Sequence, residues 1–213
     1  MKRWEGRQRR IGLTGGIASG KSSVGRYLLN QGLPVLDADV YSHEALAPGT
    51  QATGIVIERY GALVQLTQKS RNKGNAASQQ IDRQALAQIV FNDPVERLWL
   101  EQLIHPIVQE RIERDIALLS KASCVALVIP LLFEEGMEKL CTEVWVVSCS
   151  DKQQQDRLMA RNGLSAIEAK RRIEAQWPLE CKRQLADQII NNSGEPNEWE
   201  DQVSKILRKA KAA

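Results

Sequence analysis

The 213-residue chain lacks any apolar run near the roughly 18 to 20 residues that a membrane helix requires. Its longest candidate reaches only from Val125 to Phe133, so no membrane partner is expected. Cysteine is sparse: Cys124, Cys141, Cys149 and Cys181 form no Cys-x-x-Cys pair and have no histidines nearby at zinc spacing. Reduced structural thiols in a cytoplasmic protein are therefore the default reading. Charge of one sign is nearly absent, since 29 Lys and Arg against 26 Asp and Glu leave +3. So small an excess gives no reason to expect nucleic acid as a partner, although local basic clusters remain free to bind phosphate. No internal repeat or heptad array occurs, which sets aside solenoids and coiled coils. The basic segment Met1 to Arg10 leads into a short strand at Ile11, not into a signal-peptide apolar region, and is expected to be a solvated tail.

What is present is an ordinary globular composition, 43% hydrophobic and 26% charged, on a length that suits one compact domain with appended pieces. Ile11 to Thr14 reads as a buried strand, a glycine-containing loop follows, and Lys21 to Asn30 reads as a helix stopped by Gly32. Leu33 to Leu36 then reads as a second strand, completing a strand–helix–strand unit and implying a parallel sheet. Cys124 to Ile129 and Val144 to Ser148 show no polar alternation, as expected of strands covered on both faces. Gln188 to Ile190 is a candidate fifth strand. Between strands two and three, helical periodicity appears in Ile55 to Tyr60, Arg83 to Phe91 and Val95 to Leu119, with Pro106 expected to kink or break the last near His105. The polar stretch 67–80 reads as an exposed loop. Ser150 to Asn162 is a capped helix ending at Gly163, and Ser165 to Glu168 is a capping box that opens the next.

Gly15-Gly16-Ile17-Ala18-Ser19-Gly20-Lys21-Ser22 fits G-x-x-x-x-G-K-[ST] without a mismatch, between a strand and a helix. Glycines let backbone N–H groups turn inward around phosphate oxygens, and the helix N-terminus adds roughly half a positive charge. These loop residues, with Lys21, Ser22 and Ser23 at the helix start, are the candidate ATP or GTP site. Lys21 would reach the β and γ phosphates, and Ser22 would place its hydroxyl on Mg²⁺. The competing reading is a glycine-rich turn with a chance lysine.

Asp37 and Asp39 end the second strand at the same sheet edge. In an extended segment both would point to one side, one taking a proton from an acceptor hydroxyl and the other orienting it or holding Mg²⁺ through water. The alternative is that either merely caps the helix beginning near Val40. The third strand ends without an Asp, and no Asn-Lys-x-Asp occurs, which points away from switches and motors toward small-molecule kinases. Gln154, Arg157 and Arg161 share one face of the helix after strand four, suited to gripping phosphates. A solvated charged face is the bland alternative.

Taken with IGLTGGIASGKSSV and VLDAD, the segments IDRQAL (Ile81 to Leu86), LIHPIV (Leu103 to Val108), PLLFE (Pro130 to Glu134), QQDRLMAR (Gln154 to Arg161), RRIEAQ (Arg171 to Gln176) and AD-x-II-x-N (Ala186 to Asn192) resemble the dephospho-coenzyme A kinase family over most of the chain. The resemblance implies an α/β three-layer P-loop kinase fold with a central parallel five-stranded sheet. It implies a core at about 10–40, 122–149 and 179–213, a helical acceptor-binding region at about 41–121 and a helical lid at about 150–178. It implies transfer of the ATP γ-phosphoryl to the 3′-hydroxyl of dephospho-CoA. Asp39 is then the first choice for general base, with Asp37 beside it; Lys21 and Arg157 stabilise phosphate, and Arg161 is a weaker member. Arg83 and His105 match acceptor-side positions, and Asn191 to Gly194, including Asn192, would border the adenine. Ala18 stands where the family has glycine, which is tolerated if its φ is negative. Two other readings compete: a related P-loop kinase with a nucleoside or metabolite acceptor, and an ATP-binding regulatory protein with no acceptor.

Overall fold

The computed structural model describes residues 5–66 and 80–209; the expected exposed loop, apart from Gln80, lies outside the described residues. Among these, the chain runs β1 (Arg9–Gly15), α1 (Lys21–Asn30), β2 (Val35–Asp37), α2 (Ala38–Ala45), α3 (Gln51–Tyr60), α4 (Arg83–Asn92) and α5 (Pro94–Leu118). It continues through β3 (Cys124–Val128), β4 (Glu143–Ser148), α6 (Asp151–Asn162), α7 (Ala166–Glu174), α8 (Leu179–Gln184), β5 (Gln188–Asn191) and α9 (Trp199–Lys209). The strands form one sheet in the order β2-β3-β1-β4-β5, and every pairing is parallel.

The strand residues explain that arrangement. β3 and β4 are buried at nearly every position, so both faces must be covered, and parallel strands joined by helices do this. Ile11 and Leu13 of β1 pack with Val24 and Leu28 of α1, with Trp145 and Val147 of β4, and with Trp199 and Val203 of α9. All strands present their carboxyl ends at one edge, where β1 runs into the glycine loop, β4 into α6 and β5 into Asn192.

Backbone contacts divide the chain into two compact units, residues 1–38 with 115–213, and residues 39–114. The first holds the sheet. The second is helical, with its own core of Val56, Val64, Ile81, Leu86 and Val90. Two helix expectations change here. α5 continues through Pro106, so of the expected kink or break near His105 the break does not occur. Pro106 and Gln102 both lie on the exposed side of α5, so the carbonyl that the proline leaves without its usual donor meets water. β2 ends at Asp37 and α2 begins at the next residue, so Asp37 and Asp39 do not share one extended segment: Asp39 sits in a helix's first turn.

No helix among the described residues is long and apolar enough to cross a membrane.

Candidate active site

The phosphate loop follows β1 and ends at Gly20, the N-cap of α1, with φ of 103°. Only glycine adopts that conformation readily. A Cβ at Gly20 would also collide with the Asn192 amide. Ala18 takes φ of 59°. The condition under which alanine fits without cost is therefore not met: the residue sits in the left-handed region, at about 1–2 kcal/mol of backbone strain.

Side chains from three other elements hold the loop. Asn192, after β5, donates from Nδ2 to the Ser19 carbonyl at 2.8 Å, and its own carbonyl accepts from Arg157 Nη2 at 3.0 Å. Gln154 of α6 donates from Nε2 to the Ile17 carbonyl at 2.9 Å. Gln176, beyond α7, accepts from the Ile17 N–H at 3.0 Å through Oε1. Lys21 opens α1 and is buried, as is Ser19; Ser22 and Ser23 are exposed beside it on the first turn. Ser19 Oγ and Arg157 Nη1 are buried polar atoms with no hydrogen-bond partner. Orphaned donors of this kind are costly. A guanidinium N–H and a hydroxyl left open beside a phosphate loop fit an anionic ligand such as a nucleotide triphosphate.

A second layer lies behind the loop. Lys182 of α8 is fully buried, its Nζ 2.7 Å from Glu134 Oε1 and 3.0 Å from the Pro130 carbonyl, which also accepts from Thr14 Oγ1 at 3.0 Å. Burial pushes the Lys182 ammonium down from its usual range; Glu134 opposes this and the charge of Lys21 reinforces it. Glu134 Oε1 further accepts from the Trp177 N–H at 3.0 Å. Cys149, beside Arg157, has its thiol pushed up by burial despite that guanidinium, which disfavours the thiolate. The cysteines are all free.

The structure treats the expected residues unequally. The phosphate loop, Lys21, Arg157 and Asn192 come together, whereas Arg161 is exposed and donates from Nε to neighbouring Asn162 Oδ1. Asp37 closes β2 in register with Val128. In the helical unit, Asp39 lines an open cavity of about 480 Å³ with Val40, His43, Glu44 and Ala47. Arg83 donates from Nη2 to the His43 and Leu46 carbonyls at 2.7 and 3.2 Å, placing a cation at the C-terminal end of the helix that carries Asp39. His105 lies on α5. A second cavity, of about 370 Å³, is lined by Tyr41, Glu44, Gln51, Ile107 and Arg111 among others. The sequence alone assigns no role to Gln176, Glu134 or Lys182. The available signal was a lone carboxylate closing the apolar run Pro130 to Phe133.

A parallel sheet in this order, a glycine loop feeding Lys21 into a helix, and an open arginine from the helix after β4 define a P-loop kinase. The dephospho-CoA kinase family model (CoaE) matches residues 9–198. A dephospho-CoA kinase of Synechococcus sp. (strain CC9605) is 54% identical over 97% of this chain and 95% of that protein. The crystal structure of TT1252 from Thermus thermophilus is 32% identical, with TM-score 0.74, covering 96% of this chain and 98% of that one. Dephospho-CoA kinase from Campylobacter jejuni is 26% identical with TM-score 0.61, at the same coverages. The chain belongs to the dephospho-CoA kinase family, and so is a kinase with a hydroxyl acceptor.

Proposed function

We propose that this enzyme transfers the γ-phosphoryl of ATP to the 3′-hydroxyl of dephospho-CoA, releasing ADP and coenzyme A, in the cytoplasm. The observation that carries the phosphate half of this reading is the buried, unpartnered Arg157 Nη1 in the same cluster as the phosphate loop. Loop N–H groups, the α1 N-terminus and Lys21 bind the β and γ phosphates, while Arg157 meets the charge that develops on the transferring group. Arg161 is a weaker member, and Asn191 to Gly194 border the adenine.

No cluster of three acidic, histidine or cysteine side chains among the described residues is placed to hold a metal. Ser22, exposed on the first turn of α1 beside Lys21, would hold a magnesium ion through its hydroxyl, with phosphate and water supplying the other ligands. When bound, Mg²⁺ neutralises charge shared by the β and γ oxygens. Asp39 accepts the proton of the acceptor hydroxyl as its oxygen bonds to the γ-phosphorus and the bond to the β-phosphate oxygen breaks; Asp37 assists. Residues 41–121 bind the acceptor, with Arg83 and His105 on that side, and residues 150–178 act as a lid. Exposure of Asp39 in an open cavity supports its role, since a base must reach substrate.

Asp39→Asn and Asp37→Asn, compared in turnover and ATP affinity, test the assignment. Asp39→Asn is expected to lower kcat by about 10²- to 10⁴-fold while leaving the ATP Kd unchanged. Near-wild-type turnover would remove Asp39 as base.

A further inference from the structure

Ile17 is the one residue of the phosphate loop described with both its backbone groups taken by side chains distant in sequence. Its N–H donates to Gln176 Oε1 at 3.0 Å, and its carbonyl accepts from Gln154 Nε2 at 2.9 Å. Gln154 is 3% exposed, and Gly16 leaves the space its amide fills, since a Cβ there would collide with Gln154 Nε2. The next residue, Ala18, holds the left-handed conformation, and Ser19 beyond it has its carbonyl bound by Asn192. Strained backbone persists only where the surroundings over-determine it. Here the constraints flank the strained residue on both sides. The residue after Gln176 is docked as well, its N–H bound to Glu134.

We infer that Gln154 and Gln176 are positioning residues for phosphoryl transfer: together they fix the Ile17 peptide groups and so hold Ala18 in the turn that shapes the phosphate loop. Both are neutral, so they shape the loop without competing with phosphate for Lys21 or Arg157. Because the Ile17 N–H is spent on Gln176, the amides that meet phosphate are those beyond it. Ile17 thus links the loop to both α6 and the α7–α8 connection. Misplacing reacting groups by about 1 Å costs on the order of 10²-fold in rate, so the effect falls on kcat more than on ATP binding, which other groups sustain.

The chemistry is directional. Ile17 N–H needs an acceptor, which Glu also supplies, and the Ile17 carbonyl needs a donor, which Glu lacks when ionised. The test is amide hydrogen exchange at Ile17 in the nucleotide-free enzyme, with steady-state kinetics, for wild type, Gln176→Leu, Gln176→Glu, Gln154→Leu and Gln154→Glu. In wild type the Ile17 amide is expected to be protected. Gln176→Leu is expected to lose that protection and to lower kcat by about tenfold or more, with ATP KM changed by less than about twofold. Gln176→Glu keeps the protection, whereas Gln154→Glu lowers kcat at least as far as Gln154→Leu. An unprotected Ile17 amide in wild type overturns the inference even if a variant fails to fold, and so does a folded Gln176→Leu enzyme with wild-type kcat.

Discussion

The sheet-bearing unit and the helical unit handle their polar groups in opposite ways. Around the phosphate loop, charged and amide side chains are buried or half-buried and tied to partners far away in sequence: Lys182 to Glu134, Gln154 and Gln176 to Ile17, Asn192 to Ser19. In the helical unit the strongest polar interactions lie near the surface, as where Arg59 and Tyr60 both donate to Glu96 and Arg59 stacks 4.4 Å from the Trp99 ring centre. The first region is organised so that a phosphate chain meets a fixed set of donors. The second keeps its candidate groups, Asp39 and Arg83, in the first turns of helices, with Asp39 lining an open cavity.

The largest expected effect lies in the buried unit. Lys182→Met leaves the Glu134 carboxylate without its cation and should cost about 3–5 kcal/mol of unfolding free energy, measured by denaturant titration. Adding Glu134→Gln should return most of that loss. If the single variant costs less than surface substitutions do, the buried layer is not what stabilises this unit.

Arg157→Ala should lower kcat by about 10²- to 10³-fold, or roughly 2.7–4 kcal/mol of transition-state stabilisation, with a smaller rise in ATP KM. A change in KM alone would reduce Arg157 to ground-state binding.

The smallest effect belongs to the helical unit. Glu96 is held down to about 2 by hydrogen bonds from Arg59 and Tyr60. A carboxyl lowered from its ordinary value of 4.5 contributes stability fully above that pH, and loses it as pH falls through about 2. Glu96→Gln should therefore flatten the acid limb of stability below pH 4.5 by removing what Glu96 contributes at neutral pH, and that loss at pH 7 should be small because solvent screens the pair. A large loss at pH 7 would break the contrast between the units.

How far the sequence reveals this arrangement follows from the distance between partners. The phosphate loop is legible because eight consecutive residues carry it, and the caps of α6 and α7 because Ser150 with Gly163 and Ser165 with Glu168 are local signals. The parallel sheet follows from the apolar runs of β3 and β4. The helical conformation of Asp39 is not legible, since an Asp after a strand fits either an extended or a helical start. Neither is the passage of α5 through Pro106, which depends on which side of the helix meets water. Gln176 acts on a residue 159 positions away. Lys182 lies in LECKRQ, which reads as a solvent-exposed helix, and its burial depends on Glu134 in another segment. Family resemblance draws attention to PLLFE and RRIEAQ, but their roles emerge only in three dimensions.

The proposed function requires that ATP be consumed only when the right acceptor is present. Acceptor-dependent ADP formation with Mg-ATP, across dephospho-CoA, a nucleoside, shikimate and pantothenate, tests it most directly. ADP release is expected to be matched one for one by coenzyme A with dephospho-CoA, and to stay at background with the other three. Equal ADP release without any acceptor, or faster release with another acceptor, would contradict it.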